Sequence, residues 1–376
     1  MLKRRALFIL VAMLAATISL SPTPEAAAQR PTDETQISDA VINTAKAAQA
    51  KHQGSMLKQP GVHGVGVGLM EDGKRVGIHV FVAKGRQRPA LPAELDGVPV
   101  RFVESGRFMA HDGPCDSGVP CHFQTLVLPV QMGNSTSNDN GIFAGTLGYR
   151  VFRRGDPSQV GYIVPNHLAA ASGSHLCPAQ INPENLAAFG TNQCQPGRLD
   201  AAGNACIAPP IGDLVHVVPL VMGEEYLNTV DAAFVRSNRG CVSKTIRDIG
   251  NPSSTAAFPA LNSTLKLSGR TSGLRTVKVV AINVSVPVDY GSSCETALFV
   301  NQAITAPIPG SAASGLAASL PGDSGAPVVT SSRRPVGMNF AGDGFFGVIN
   351  PMPLVLDALG VQIDTAGDLP ASASCP

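Results

Sequence analysis

Beyond residue 122 the chain repeats one pattern. A short run rich in β-branched and apolar residues is followed by a cluster of Gly, Pro, Asn or Ser. "FQTLVLPVQM", "AGTLGYRVFRR", "VGYIVPNHL", "LVHVVPLVM", "TLKLSGRTSG", "RTVKVVAINVSVPV", "ALFVNQAIT" and "PVGMNFAG" all follow it. Many short runs with turn signals between them, and no alternating helices, read as the strands of an all-β barrel or sandwich. The 39 glycines and 30 prolines supply the turns. The pattern breaks near the end, where "PMPLVLDALGV" (351–361) predicts a short helix. Leu354, Val355 and Leu359 are apolar there and Gly360 can cap it.

The first 122 residues have a different texture. "MLKRRALFILVAMLAATISLSPTPEAAAQR" reads as an export signal over 1–28, with a basic start, an apolar run and a small-residue cleavage site. A membrane anchor is the competing reading, but the run is short for a span. Export implies a secreted or periplasmic protein, with no membrane contact after cleavage. Residues 29–108 read as a small α+β unit. Ile37, Val41, Ile42, Ala45 and Ala48 recur at helical spacing, and two strand-like runs flank "EDGK" as a hairpin. "LPAELDGVPVRFVESGRF" (91–108) adds a short helix-like piece and a further strand. The glycines of 61–68 do not open a helix, so a phosphate-binding loop fails on context. The turn-rich 109–122 reads as a linker to a domain over 123–376.

Charge and cysteines narrow the partners. Losing residues 1–28, with Lys3, Arg4, Arg5 and Glu25, leaves 25 basic against 26 acidic residues and no basic block. Nucleic acid is therefore not an expected partner. All eight cysteines lie beyond residue 28, an even count that in an exported chain allows up to four disulfides of unresolved pairing. Cys115, Cys121 and His122 lack the spacing of common zinc fingers. No metal or cofactor is expected.

Chemistry is concentrated in "PGDSGAPVV" (321–329). A serine hydroxyl becomes a nucleophile when a histidine takes its proton and a buried carboxylate orients that histidine. Gly322 and Gly325 allow the backbone angles of a tight loop around Ser324. The N–H groups of Gly322 and Ser324 can then converge on an oxyanion, with Asp323 holding the loop from behind. Of the eight histidines, His167 sits where a strand-like run, "VGYIVPNHLAAAS", passes into small residues, at a barrel edge. His216 alternates with Val215 and Val217 and reads as a strand residue facing solvent. Asp231, in "NTVDAAFVR", heads an apolar run and is favoured as the orienting carboxylate. Asp213, in "IGDLVHVV", is the rival.

The order His167, Asp231, Ser324, with "GDSGAP" around the serine, resembles the chymotrypsin-like (trypsin-fold) serine proteases. "AGTLGYRV", "GYIVPNHLAA", "GDLVHVVPL", "VDAAF" and "SGRTSG" resemble a bacterial-type and plant subgroup that carries an added N-terminal unit. The resemblance covers about 123–362, with a weaker echo in 61–108. It implies a mainly β fold of two antiparallel β-barrels, joined to the small α+β unit and the short C-terminal helix. It implies a protein or peptide substrate, and sets no oligomeric state. It places a substrate pocket at Ser319, Leu320, Phe340 and Ala341. No carboxylate lies in "SGLAASLPG" (314–322), so a small or apolar side chain is expected in that pocket. Asp343 lies close in sequence to the other pocket wall. No cysteine adjoins His167, and no site for activation by a newly cut N-terminus precedes the barrel. Arg270 is then the candidate partner of Asp323. The chain is read as a serine endopeptidase. A catalytically weak or inactive binding or scaffold protein on the same fold is the alternative, and an α/β-hydrolase is disfavoured by Ala326, which breaks G-x-S-x-G.

Overall fold

The computed structural model describes residues 37–110, 127–170, 190–207, 209–291, 295–308, 317–372 and 374–376. The export segment, most of the 109–122 linker, and Cys115, Cys121, His122, Cys177 and Cys294 lie outside these residues.

Six strands close into a barrel. Thr264–Gly269, Gly273–Asp289, Thr296–Pro307, Gly347–Pro351, Pro335–Gly342 and Pro327–Thr330 each pair antiparallel with the next, and the last pairs with the first. Closure leaves these six without a free edge among themselves. "TVKVVAINVSV" supplies the β-branched residues of the longest strand. Val277, Ala281, Val284, Val286 and Val288 are buried along it, each Val stabilising the fold by about 1.5–3 kcal/mol.

A second sheet runs Val361–Ile363, Arg150–Arg153, Asp156–Val164, Ala233–Arg236, Gly212–Val217, Asn192–Cys194, Ser135–Asn138 and Gly145–Thr146, all antiparallel. It folds over a core that includes Leu147, Val151, Tyr162, Ile163, Val235 and Val242. The fold is thus mainly β; its two large sheets are mostly antiparallel, with parallel pairs at the margins of the first, and a small parallel pair joins Val130–Met132 to Val242–Ile246. The expected C-terminal helix, Met352–Leu359, carries the chain from one sheet to the other and ends at Gly360 with φ +65°. A disulfide between Cys241 and Cys375 ties down the tail, and a second joins Cys194 to Cys206. The lobes also meet through Tyr149, whose buried hydroxyl donates to the Val328 carbonyl across 2.6 Å.

The N-terminal segment continues the barrel's sheet. Val62–Leu69 forms the expected hairpin with Val76–Ala83 and also pairs antiparallel with Gly273–Asp289. Helix Asp39–Leu57, capped by Ser38, lies over this junction. Its fully buried Gln49 donates to the carbonyls of Val65 (3.1 Å) and Asn283 (2.8 Å). Phe108–Ala110 pairs with Gly273–Asp289 on one side and Pro335–Gly342 on the other. One sequence expectation is corrected. The helix-like piece at 91–96 is a tight hairpin instead, Glu94–Leu95 returning into Val98–Ser105. Asp96 (φ +49°) and Gly97 (φ +77°) take the left-handed backbone that a two-residue Asp-Gly turn requires.

Candidate active site

The sheet that carries His167 ends its strand Asp156–Val164 at Pro165, and one helical turn, Asn166–Ala169, follows. Asn166 anchors the turn by donating to the Val218 carbonyl (2.8 Å). His167 is fully buried. Its Nδ1 lies 2.5 Å from Asp231 Oδ2, and its backbone N–H donates to Asp231 Oδ1 (3.3 Å). Asp231 precedes the strand Ala233–Arg236, and both of its main-chain groups are held by Asn350 from the six-stranded barrel. Asp213, the rival carboxylate, is engaged elsewhere. It accepts two hydrogen bonds from Arg236 (3.0 and 2.8 Å). His216 is half-buried, and burial lowers its affinity for a proton.

The serine loop sits at the other lobe's edge. Gly322 and Gly325 have φ of +96° and +102°, and a Cβ on Gly325 would stand 1.8 Å from the Thr146 carbonyl oxygen. Only glycine fits there. Thr146 grips the loop: its N–H donates to Ser324 O (2.7 Å) and its hydroxyl to Gly322 O (2.8 Å). Among the described residues, the N–H groups of Gly322 and Ser324 donate to no protein acceptor. The Ser324 hydroxyl donates to the Phe340 carbonyl at 3.0 Å.

Asp323 points away from the serine, into the barrel side. It accepts from the N–H groups of Thr271 (3.0 Å), Ser272 (2.9 Å) and Leu320 (2.8 Å) and from the Ser272 hydroxyl. Burial raises its proton affinity, and these donors oppose that effect. The expectation that Arg270 pairs with Asp323 is not met. The Arg270 guanidinium turns to Asp200 in the other lobe, with Nε–Oδ2 at 2.6 Å and a second contact from Nη2 to Oδ1. Three N–H donors and a hydroxyl already satisfy Asp323, so no cation is needed there.

The pocket residues are brought near the serine. Leu320 and Ser319 precede the loop, and Ser319 is buried. Phe340 and Ala341 are fully buried on the strand that faces Ser324, with the Phe340 ring 4.9 Å from that of Phe299. Asp343 is bound by the N–H groups of Gly106 (2.8 Å), Phe345 (2.9 Å) and Phe346 (2.6 Å).

Tyr290 was not foreseen from the sequence. Its hydroxyl donates to Asp231 Oδ2 (2.8 Å), and its ring stands edge-on to His167 at 5.7 Å. It follows the strand Gly273–Asp289 directly, and no motif marks it. Thr146 and Thr271 carry no such mark either, although they lie inside the segments "AGTLGYRV" and "SGRTSG".

No protein-family model matches the chain, and no curated protein matches it. Solved structures do. Thermobifida fusca protease A is 19% identical, over 63% of this chain and all of its own, with a TM-score of 0.41. The Nocardiopsis protease NAPase is 17% identical over 63% of this chain and all of its own, TM-score 0.41. The Cellulomonas bogoriensis chymotrypsin is 17% identical over 63% of this chain and 99% of its own, TM-score 0.39. The chain is thus similar in structure to bacterial serine proteases.

Proposed function

We propose that the chain is an exported serine endopeptidase of the trypsin-like fold, acting through Ser324, His167 and Asp231. The observation that carries this reading is the buried 2.5 Å His167–Asp231 contact beside a glycine-framed serine loop. In the reaction Ser324 Oγ leaves the Phe340 carbonyl and attacks the substrate carbonyl carbon, while its proton passes to His167 Nε2. Asp231 holds the Nδ1–H tautomer and stabilises the imidazolium. The N–H groups of Gly322 and Ser324 receive the oxyanion. The C–N bond then breaks as His167 gives its proton to the leaving amine. Water, deprotonated by the same histidine, releases the acyl group and restores Ser324.

The side chain accepted next to the scissile bond is small or apolar. Ser319, Leu320, Phe340 and Ala341 bring no charge, and three N–H groups occupy the Asp343 carboxylate. Digestion of a peptide library with the signal-free protein, with Ser324→Ala as control, tests both parts. Cleavage after Ala, Val or Leu, absent in the control, is expected. Cleavage dominated by Arg or Lys would overturn the specificity. A catalytically weak or inactive binding protein is the second reading, favoured by the Ser324 hydroxyl donating to the Phe340 carbonyl. Full-length protein that cuts no library peptide would select it.

A further inference from the structure

The two N–H groups assigned to the oxyanion belong to peptide units whose orientation something must fix. A trans peptide points its C=O and N–H in opposite directions, so a group that holds the carbonyl also aims the N–H. The Gly322 N–H shares its peptide with the Pro321 carbonyl, which accepts from the Thr271 hydroxyl (2.7 Å). That hydroxyl in turn accepts from Arg270 Nη1 (3.2 Å). The next carbonyl, Gly322 O, accepts from the Thr146 hydroxyl, which itself accepts from the Arg270 backbone N–H (2.9 Å). Both clamps on Gly322 therefore trace back to Arg270. The packing there is tight. A Cβ on Gly322 would stand 2.2 Å from Thr271 Oγ1 and 2.4 Å from Arg270 Nη1.

Arg270 is set in its turn by Asp200. The side chains are 1% and 3% exposed, so the pair is held out of water and neither partner swings freely. Asp200 also accepts from the Ser135 hydroxyl (2.5 Å). It lies in the segment that the Cys194–Cys206 disulfide closes. The fork of two guanidinium contacts fixes the plane of Arg270, and with it the direction of Nη1.

We propose that Asp200 is a positioning residue for the oxyanion site: through Arg270 and the Thr271 hydroxyl it orients the Pro321–Gly322 peptide, so that the Gly322 N–H faces the developing oxyanion. Asp200 touches neither substrate nor the reacting atoms. The charge pair that braces the serine loop spans the two lobes and needs no newly cut N-terminus. This inference rests on the reading of Ser324 as the nucleophile.

The test is the rate at which a fluorophosphonate acylates Ser324 in the full signal-free chain, for Thr271→Val, Thr271→Ser and Asp200→Asn. Thr271→Val removes the hydroxyl and leaves the buried ion pair intact. We expect its rate to fall roughly 100-fold, the order of losing one oxyanion donor, and Thr271→Ser to recover most of it. Asp200→Asn should fall in the same direction, and the double variant Asp200→Asn/Thr271→Val little further, because the two act on one peptide. The far-downfield proton resonance of the His167–Asp231 hydrogen bond should persist in each variant. A wild-type rate in folded Thr271→Val overturns the proposal, as does a wild-type rate in folded Asp200→Asn. So does Thr271→Ser as slow as Thr271→Val. If Asp200→Asn does not fold, the two Thr271 variants decide. Wild-type protein that is not acylated at Ser324 instead overturns the parent reading, and this inference with it.

Discussion

At the scale of residues, the candidate site is a set of fixed partners around the proposed nucleophile and base. Asp231 has its carboxylate shared between His167 and Tyr290, and its backbone clamped by Asn350. Removing the Tyr290 hydroxyl leaves Asp231 a stronger acceptor for the imidazole, which raises the proton affinity of His167. Tyr290→Phe is therefore expected to lower kcat several-fold and to move the acid limb of the kcat/KM profile to higher pH. An unchanged pH profile would show that the hydroxyl is only a packing group. Asp231→Asn should cost about 10⁴ in kcat, the loss known for the corresponding change in this kind of triad, with KM little altered. Ser324, His167 and Asp231 stand out in the sequence because each carries a local signature: glycines beside the serine, a strand end before the histidine, an apolar run after the aspartate; the folded chain brings His167 against Asp231, and their catalytic roles are the proposal. Tyr290 carries none. Its role depends on where a long strand ends in space, and spacing along the chain does not encode that. The Arg270 expectation failed for a related reason. Backbone N–H groups of Thr271 and Ser272, which composition cannot reveal, satisfy Asp323 and free Arg270 to reach Asp200.

Among the elements, Gly273–Asp289 has the widest reach. It belongs to the closed barrel, it pairs with Val62–Leu69 and Phe108–Ala110 from the N-terminal segment, and it delivers Tyr290 to Asp231. The aromatic rings of Phe81 and Phe108 pack against each other (6.0 Å), and Phe81 packs on Phe346 of the barrel (5.8 Å). Excising residues 29–110 would strip Phe81 from Phe346, unpair the barrel strands Gly273–Asp289 and Pro335–Gly342 along the edges that meet this segment, and leave the Asn283 carbonyl without its bond from Gln49. A fragment of residues 111–376 is expected to aggregate or stay unfolded. A soluble fragment that is still acylated at Ser324 would instead make the N-terminal segment a removable pro-region. Met109→Pro is a milder probe, since proline removes an N–H from a strand paired on both sides. It should lower stability by roughly 1–3 kcal/mol, read from the urea midpoint. The sequence placed the helix and hairpin of this segment but not their continuity with the barrel. Register across more than 200 residues is a tertiary property, and the alternation in "GVHGVGVGL" shows only that a face is buried, not against what.

The whole molecule adds a pH dependence that originates far from the serine. His79 is buried, with Nε2 donating to the Leu69 carbonyl (2.7 Å). Burial, aided by the nearby charge of Arg101, brings its pKa down from the ordinary 6.5 to about 4. As pH falls the unfolded chain therefore takes up this proton first. The stability tied to neutral His79 is complete above pH 6.5 and is lost progressively down to about pH 4, a loss of ~3 kcal/mol at most. Denaturant midpoints at pH 7 and pH 4.5 should differ accordingly, and His79→Leu should narrow the difference. An equal difference in that variant would assign the acid sensitivity to other groups. Among the described residues, no helix is long and apolar enough to cross a membrane. The mainly β character was legible from the run of short strands and turns, whereas the division into two lobes rested on the family resemblance. The wiring between lobes was not legible: Tyr149 to Val328, Asn350 to Asp231 and Arg270 to Asp200 all join residues whose proximity only the folded chain creates. One measurement bears on the central claim most directly. The purified, signal-free protein is treated with a fluorophosphonate, beside Ser324→Ala, and the adduct is mapped by mass spectrometry. A single adduct on Ser324, absent from the variant, is the predicted result; folded protein that carries no adduct, or carries it on another residue, would contradict the assignment of Ser324 as the nucleophile.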